Sequence, residues 1–484
     1  MDRISPKSGN FTPGAQGTRG TSEMSDGAPD AFTDRFVPSQ GNPDIAPGST
    51  LIRNAAGFHP VTAGESSGLS DAEALYSHFL KGESGATVEH LAYLDRGIDL
   101  SPYKNQISSY PSRLYLTPQA VHDDAPLYPA LGEMPKIDEK ALEFLHPEIT
   151  NACVCIGTWE NGKMHARWLG RNATEPVQMW SSTKIIPMAN AVVKANQGSP
   201  STVMEHCVVQ SSGRPSGRPV IEDPGENSYI VIHPESDALE KEKPGGAQGR
   251  AQDPITVPAA FDAIVSYRKG GSMSNTLARM FKQFDTPEGL EGWMRRATGN
   301  TRSEFRGGYG EAPYFSRPAM LDTSTNKTVL KASGADHKGN NFVSAYDLSR
   351  LMTLLSWHPH LGAREQLPLI RQNGVDTLVR ALGTDSARFA DVAIDALGMK
   401  DRVRDPVIIS KLGFGLSDIR KQYEEVYASY IQFTDGQTGR PCQVSITLRG
   451  AKPPSTPRAA MELDARMATQ VALILQRLLD GSLH

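Results

Sequence analysis

A serine tetrapeptide opening a buried helix constrains this chain more than any other feature. Ser181-Ser182-Thr183-Lys184 leads into Ile185-Ile186-Pro187-Met188-Ala189-Asn190-Ala191-Val192-Val193, a run too apolar for a surface helix. Before it, residues 152–159 and 163–169 read as strands joined at Asn161-Gly162, a dipeptide suited to a two-residue primed turn. Hairpin, serine turn and buried helix in succession require a sheet packed against helices. Ser181 and Lys184 stand three positions apart, so they share one helical face, a layout that suits an activated nucleophile.

The rest of the chain supplies the remainder of such a domain. Residues 137–145 place Ile137, Ala141, Leu142 and Leu145 on one helical face. Helices are expected at 257–267, around Leu277, Met280, Phe281 and Phe284, and after Pro287, with Leu290, Trp293 and Met294. Residues 306–341 read as loop, and Ser344-Ala345-Tyr346-Asp347 as a capping box for a helix with Leu348, Leu351, Met352 and Leu355. His358-Pro359-His360 reads as a helix-terminating turn. The period then changes to two at 407–411, 427–434 and 442–448, the last two strands linked by the turn-rich 435–439. A long amphipathic helix over 458–479 closes the chain. The predicted class is α+β: an antiparallel sheet assembled from both ends of the domain and flanked by helices, with an all-helical subdomain between.

The domain so defined spans 135–484, with 210–254 as an inserted surface loop containing one strand at 229–232. Residues 71–134 form a poorly defined, partly helical extension, with short helices around Ala74, Leu75, Phe79 and Leu80 and at 90–94. Residues 1–70, rich in Gly, Ser, Pro, Thr and Asp, lack the apolar core of a secretory signal and read as a disordered leader. That places the protein in the cytoplasm by default, or outside it by a route needing no cleaved signal. No stretch approaches the ~20 apolar residues of a membrane span. A formal net charge of −4, with no basic stripe interleaved with aromatics, argues against nucleic-acid binding. Cys153 and Cys155 lie on one face of a strand as small core residues. No second Cys or His pair stands at zinc spacing, so neither metal nor cofactor is expected.

Ser-x-x-Lys alone says little, since Ser101/Lys104, Ser266/Lys269 and Ser324/Lys327 repeat it. Ser182 or Thr183 could equally serve as a helix cap. Only the Ser181 copy follows strands, precedes a buried helix, and is answered far downstream by a strand ending Lys411-Leu412-Gly413-Phe414-Gly415. With these motifs, residues 135–484 resemble the penicillin-binding protein and serine β-lactamase superfamily, closest in layout to its class A. That family uses Ser-x-x-Lys, then Ser-x-Asn or Tyr-x-Asn, then Lys-Thr/Ser-Gly. Here Leu412 replaces the hydroxyl residue that contacts a substrate carboxylate, with Gly413 beside it.

The resemblance implies a serine hydrolase forming an acyl-enzyme on Ser181 with a small-molecule or peptide-like amide, ester or β-lactam. Lys184 would be the base, and the Ser181 and Phe414 amides the oxyanion hole. Lys411 would supply positive charge for an anionic group. The second motif falls in Gly271-Ser272-Met273-Ser274-Asn275-Thr276 and can be aligned in two ways. Ser272-Met273-Ser274 makes Ser272 the proton shuttle, with Asn275 as a nearby polar contact. Met273-Ser274-Asn275 keeps the Asn and loses the shuttle; the first alignment is preferred. Glu311 lies where class A enzymes carry a deacylation base, on a loop that an Arg306–Asp322 ion pair would brace. Phe315 stands in place of that family's Asn. The alternative is a catalytically degenerate relative that binds without turnover, and the leader would also suit a secreted bacterial effector.

Overall fold

The computed structural model describes residues 71–81, 125–212, 253–267 and 269–483. The leader, most of the 71–134 extension and nearly all of the predicted 210–254 insertion lie outside the described residues. The class is α+β, as the element order predicts.

The central sheet has six strands, in spatial order Ile137–Asp138, Lys163–Arg171, Ile149–Glu160, Pro441–Lys452, Gln422–Asp435 and Val403–Ser417. An N-terminal hairpin therefore pairs with three C-terminal strands, and every pairing is antiparallel except the first. Asn161 and Gly162 close the hairpin with φ of 49° and 77°, the two positive values of a type I′ turn. At the other end, Asp435 accepts from the Gln437 amide at 3.0 Å and the Thr438 hydroxyl at 2.8 Å, which fixes the last hairpin.

The sheet is covered on both faces. Ile408, Leu412, Tyr427, Ile431 and Val444 pack with the C-terminal helix (Pro457–Leu479). On the opposite face Val407, Ile409, Ala428 and Tyr430 meet the helices Ile185–Gly198 and Ala345–Ser356. Cys153 and Cys155 belong to this second core and are unpaired. The Ser344–Asp347 capping box forms as expected, and His358–His360 is a short turn directly after that helix. Helices at Gln372–Leu382 and Phe389–Ala396 were not anticipated from periodicity. No described helix is long and apolar enough to cross a membrane.

Three local expectations change. The predicted helix over 137–145 is a two-residue strand followed by turns. Ile137 and Asp138 pair in parallel with Trp168 and Leu169. Arg171 then takes the carbonyls of Glu143, Leu145, His146 and Ile149 at 2.7–3.1 Å, which fixes the turns that follow the strand. Leu142 and Leu145 are buried nonetheless. Second, the supposed loop 306–341 contains a hairpin, Pro318–Asp322 with Lys327–Lys331, paired to the distant strand Cys207–Ser211. Third, the helix Ala72–Lys81 does pack tightly, burying Leu75 and Phe79 against the C-terminal helix, where Arg466 lies 3.8 Å from the Tyr76 ring.

Candidate active site

The serine turn is built on the edge strand. Trp180–Lys184 is a 3-10 turn running into the helix Ile185–Gly198, and neither has a side-chain cap. Thr183 donates its hydroxyl to the Trp180 carbonyl at 2.8 Å, and Ser182 donates to that of Met179. Both neighbouring hydroxyls are thus spent on the turn itself. Trp180, just before Ser181, has φ of 49°, a left-handed value that a bulky residue adopts only when its surroundings enforce it.

Two strand glycines admit this turn. A Cβ at Gly413 would lie 2.6 Å from the Met179 carbonyl and 3.0 Å from the Ser182 amide. One at Gly415 would lie 2.3 Å from the Trp180 ring. Any side chain at either position would push the serine turn off the strand. Gly413 therefore acts by making room.

Lys184 is fully buried, and its Nζ donates to Ser274 Oγ at 2.9 Å and to Asn275 Oδ1 at 2.6 Å. Both partners sit in the first turns of the helix Gly270–Lys282. Ser274 in turn donates to the Ile264 carbonyl at 2.7 Å, fixing its rotamer. Asn275 thus lies at the site as expected, and its Nδ2 meets no hydrogen-bond partner among the described residues. Ser272 does not. It is exposed, two positions before Ser274 and so about 200° around the helix from it. The hydroxyl beside Lys184 is that of Ser274.

Lys411 approaches from the edge strand. Alternation puts it on the same face as Val407 and Ile409, while Leu412 faces the C-terminal helix and is buried there. The Leu412 side chain consequently points away from Lys411; what residue 412 presents to the lysine is its carbonyl. Lys411 Nζ donates to that carbonyl at 3.0 Å and to Tyr267 Oη at 2.8 Å, and Tyr267 also donates to the Leu412 carbonyl at 3.2 Å. Burial pulls the Lys411 ammonium down to about 8, against the opposing charge of Asp385. Phe414, half-buried, stacks on Tyr423 at 5.6 Å.

Tyr267 is the residue at the two lysines that motif spacing missed. It ends the helix Val257–Ser266 in a left-handed conformation, φ 56°. Its ring lies 3.9 Å from Lys411 Nζ and 5.5 Å from Lys184 Nζ, between the two amines. The signal in the sequence was a phenol three residues before the Gly270-Gly271 break, with Lys269 where a Tyr-x-Asn motif would have Asn.

The loop after residue 305 touches the cluster through Tyr309. Its hydroxyl lies 3.2 Å from Thr183 Oγ1, and its ring is 5.5 Å from Lys184 Nζ. Glu311, two residues on, is half-buried and accepts from Arg279 at its backbone carbonyl, 2.9 Å. The expected Arg306–Asp322 brace does not form. Arg306 pairs with Glu291 at 2.9 Å, while Asp322 binds Ser324 and Thr325 within its own hairpin turn. Those bonds hold Asp322 below the usual carboxylate range despite the opposing effect of burial. Among the described residues no three His, Cys, Asp or Glu side chains gather as a metal site.

No protein-family model and no curated protein matches the sequence. Among solved structures, the chain is similar to a β-lactamase from Streptosporangium roseum at 17% identity, covering 71% of this chain and 98% of that one, TM-score 0.36. A class A β-lactamase from Mycobacterium abscessus is 14% identical over 70% of this chain and 98% of its own, TM-score 0.36. A β-lactamase from Desulfarculus baarsii is 18% identical over 67% and 91%, TM-score 0.33.

Proposed function

We propose that the protein is a serine hydrolase that forms an acyl-enzyme on Ser181. The observation that carries this reading is the buried chain of groups behind the serine turn. Lys184 is held by Ser274 and Asn275, and 5.5 Å from it lies the ring of Tyr267, whose hydroxyl accepts from Lys411. A serine hydroxyl is a weak nucleophile and needs a base within reach. Lys184, one turn on, takes the Ser181 proton as Oγ attacks the acyl carbon. Lys411 polarises Tyr267, which passes a proton to the departing group as its bond to the acyl carbon breaks. Tyr267 thereby takes the shuttle role expected of Ser272.

The Ser181 and Phe414 amides are the proposed donors to the developing oxyanion, and the buried Asn275 Nδ2 is a donor for a substrate carbonyl. Hydrolysis is completed when water, losing a proton to a base, displaces Ser181 from the acyl carbon; Lys184 returns its proton to the departing Ser181 oxygen, and the proton held by the base restores Tyr267 through solvent. Glu311 is the proposed base. The substrate class is a small amide, ester or β-lactam.

Intact mass after treatment with a fluorophosphonate or a labelled penicillin tests the reading. Wild type should gain one adduct, and Ser181→Ala none. Absence of any Ser181-dependent adduct with both probes would instead leave a binding protein without turnover.

A further inference from the structure

Trp180 holds a left-handed backbone conformation and sits directly before Ser181. Something must hold it there. Its indole Nε1 donates to Glu424 Oε2 at 3.0 Å in a buried setting. Glu424 stands opposite Gly415 in the cross-strand register, so the ring lies over the Gly415–Glu424 pair with its N–H reaching the carboxylate.

Glu424 is itself fixed from several sides. Arg420, in the hairpin turn, donates to both carboxylate oxygens, to Oε2 at 2.8 Å. Arg449 on the next strand lies 2.9 Å from Oε2, and Gln422 donates to Oε1 at 2.9 Å. The two arginines also hold the segment leading into the turn. Arg449 donates to the Gln178 carbonyl at 3.2 Å, and Arg420 to the Gln178 side chain at 2.9 Å. Burial would raise the Glu424 carboxyl, but Arg420 and Arg449 outweigh it and keep the group ionised. Two strand-borne groups and one from the hairpin turn therefore grip both residues that flank Met179.

We infer that Trp180 and Glu424 form one positioning unit, in which the indole–carboxylate bond locks the left-handed residue and so aims Ser181 at the acyl carbon. This rests on the acyl-enzyme reading of Ser181. Neither residue touches substrate; both act through the serine turn.

The experiment measures phosphonylation of full-length protein by a fluorophosphonate across probe concentrations. Trp180→Phe keeps an aromatic ring over Gly415 and removes the N–H. Its maximal phosphonylation rate should fall by about tenfold or more, as expected when a reacting group is misplaced, with the half-saturating probe concentration unchanged. Glu424→Gln keeps an acceptor oxygen and should fall less. The double variant should be no slower than Trp180→Phe alone, because the two residues act together.

A Trp180→Phe protein reacting at the wild-type rate overturns the unit, and so do losses that simply multiply in the double variant. If Trp180→Phe does not fold, Glu424→Gln decides: a slowed maximal rate supports the unit, and a wild-type rate overturns it. Wild type that is unreactive at Ser181 removes the acyl-enzyme reading itself, a result separable from all of these.

Discussion

Lys184 and Lys282 are both fully buried and both lie near the Tyr309 ring, at 5.5 and 4.7 Å, yet their surroundings differ in kind. Lys282 Nζ donates to the Gly307 carbonyl at 2.5 Å and Asn341 Oδ1 at 2.8 Å, and sits 3.6 Å from the Phe305 ring. These are carbonyl acceptors and a π face, with no proton of their own to give. They pin the loop after residue 305 to the helix Gly270–Lys282. Lys184 instead meets the Ser274 hydroxyl, three residues after Ser181 and beside the Tyr267 phenol. Burial of a lysine is therefore no mark of chemistry. The proton-carrying capacity of what it touches is.

Substitution separates the two lysines. Lys184→Met should slow acylation of Ser181 by about 10³- to 10⁴-fold, the scale of a lost general base, while the protein stays folded. Lys282→Met should do the reverse. It orphans the Gly307 carbonyl and the Asn341 amide, costing about 2–4 kcal/mol in denaturant unfolding, and leaves the acylation rate within about threefold of wild type. Equal effects of the two on acylation would break the comparison.

Tyr267→Phe probes the group between the two site amines, and should slow acylation by about 10²-fold when the leaving group needs a proton. Lys411 titrates near 8 because it is buried, so it donates to Tyr267 below that pH. Wild-type acylation should fall as pH rises through about 8, and this limb should flatten in Tyr267→Phe. Since the folded value lies below the usual 10.5, the unfolded chain binds the extra proton between them. The Lys411 contribution to stability therefore improves as pH rises through that window. A basic limb unaltered in Tyr267→Phe would detach the phenol from the mechanism.

The smallest effect belongs to Leu412→Thr, which introduces the hydroxyl of the Lys-Thr/Ser-Gly motif that this stretch resembles. Its side chain faces the C-terminal helix, so the change should cost about 1–2 kcal/mol of stability and leave acylation by a penicillin unchanged. A marked gain in penicillin acylation would show that residue 412 reaches the substrate.

Features with strong local chemistry were legible in the sequence. Asn161-Gly162 set the first hairpin, Ser344 and Asp347 capped their helix, and apolar alternation marked the three C-terminal strands. Ser181, Lys184, Asn275 and Lys411 were singled out by the resemblance to a family's motifs, and the structure brings the Lys184 and Lys411 side chains to one tyrosine. The rest depended on partners far along the chain. Residues 137–145 have helical periodicity, but Trp168 pairs with Ile137 and Arg171 takes the carbonyls of Glu143 and Leu145. The 318–331 hairpin needs Cys207–Ser211 beside it. Ser272 and Ser274 share a motif window, and only the helix phase, set by packing of Leu277 and Phe281, decides which one meets Lys184. Tyr267 escaped because a left-handed residue between two helices turns the phenol toward a strand 144 positions away.

The alternation at Lys411 and Leu412 has a consequence for how the molecule matures. Were the edge strand to pair one residue out of register, every side chain would change face. The ammonium would enter the apolar layer under the C-terminal helix, and leucine would replace it beside Tyr267. A misregistered chain would thus lose its fold and its chemistry in one step. Correct zipping of the long hairpin from Val403 to Asp435 is thus what brings the Lys411 ammonium to Tyr267.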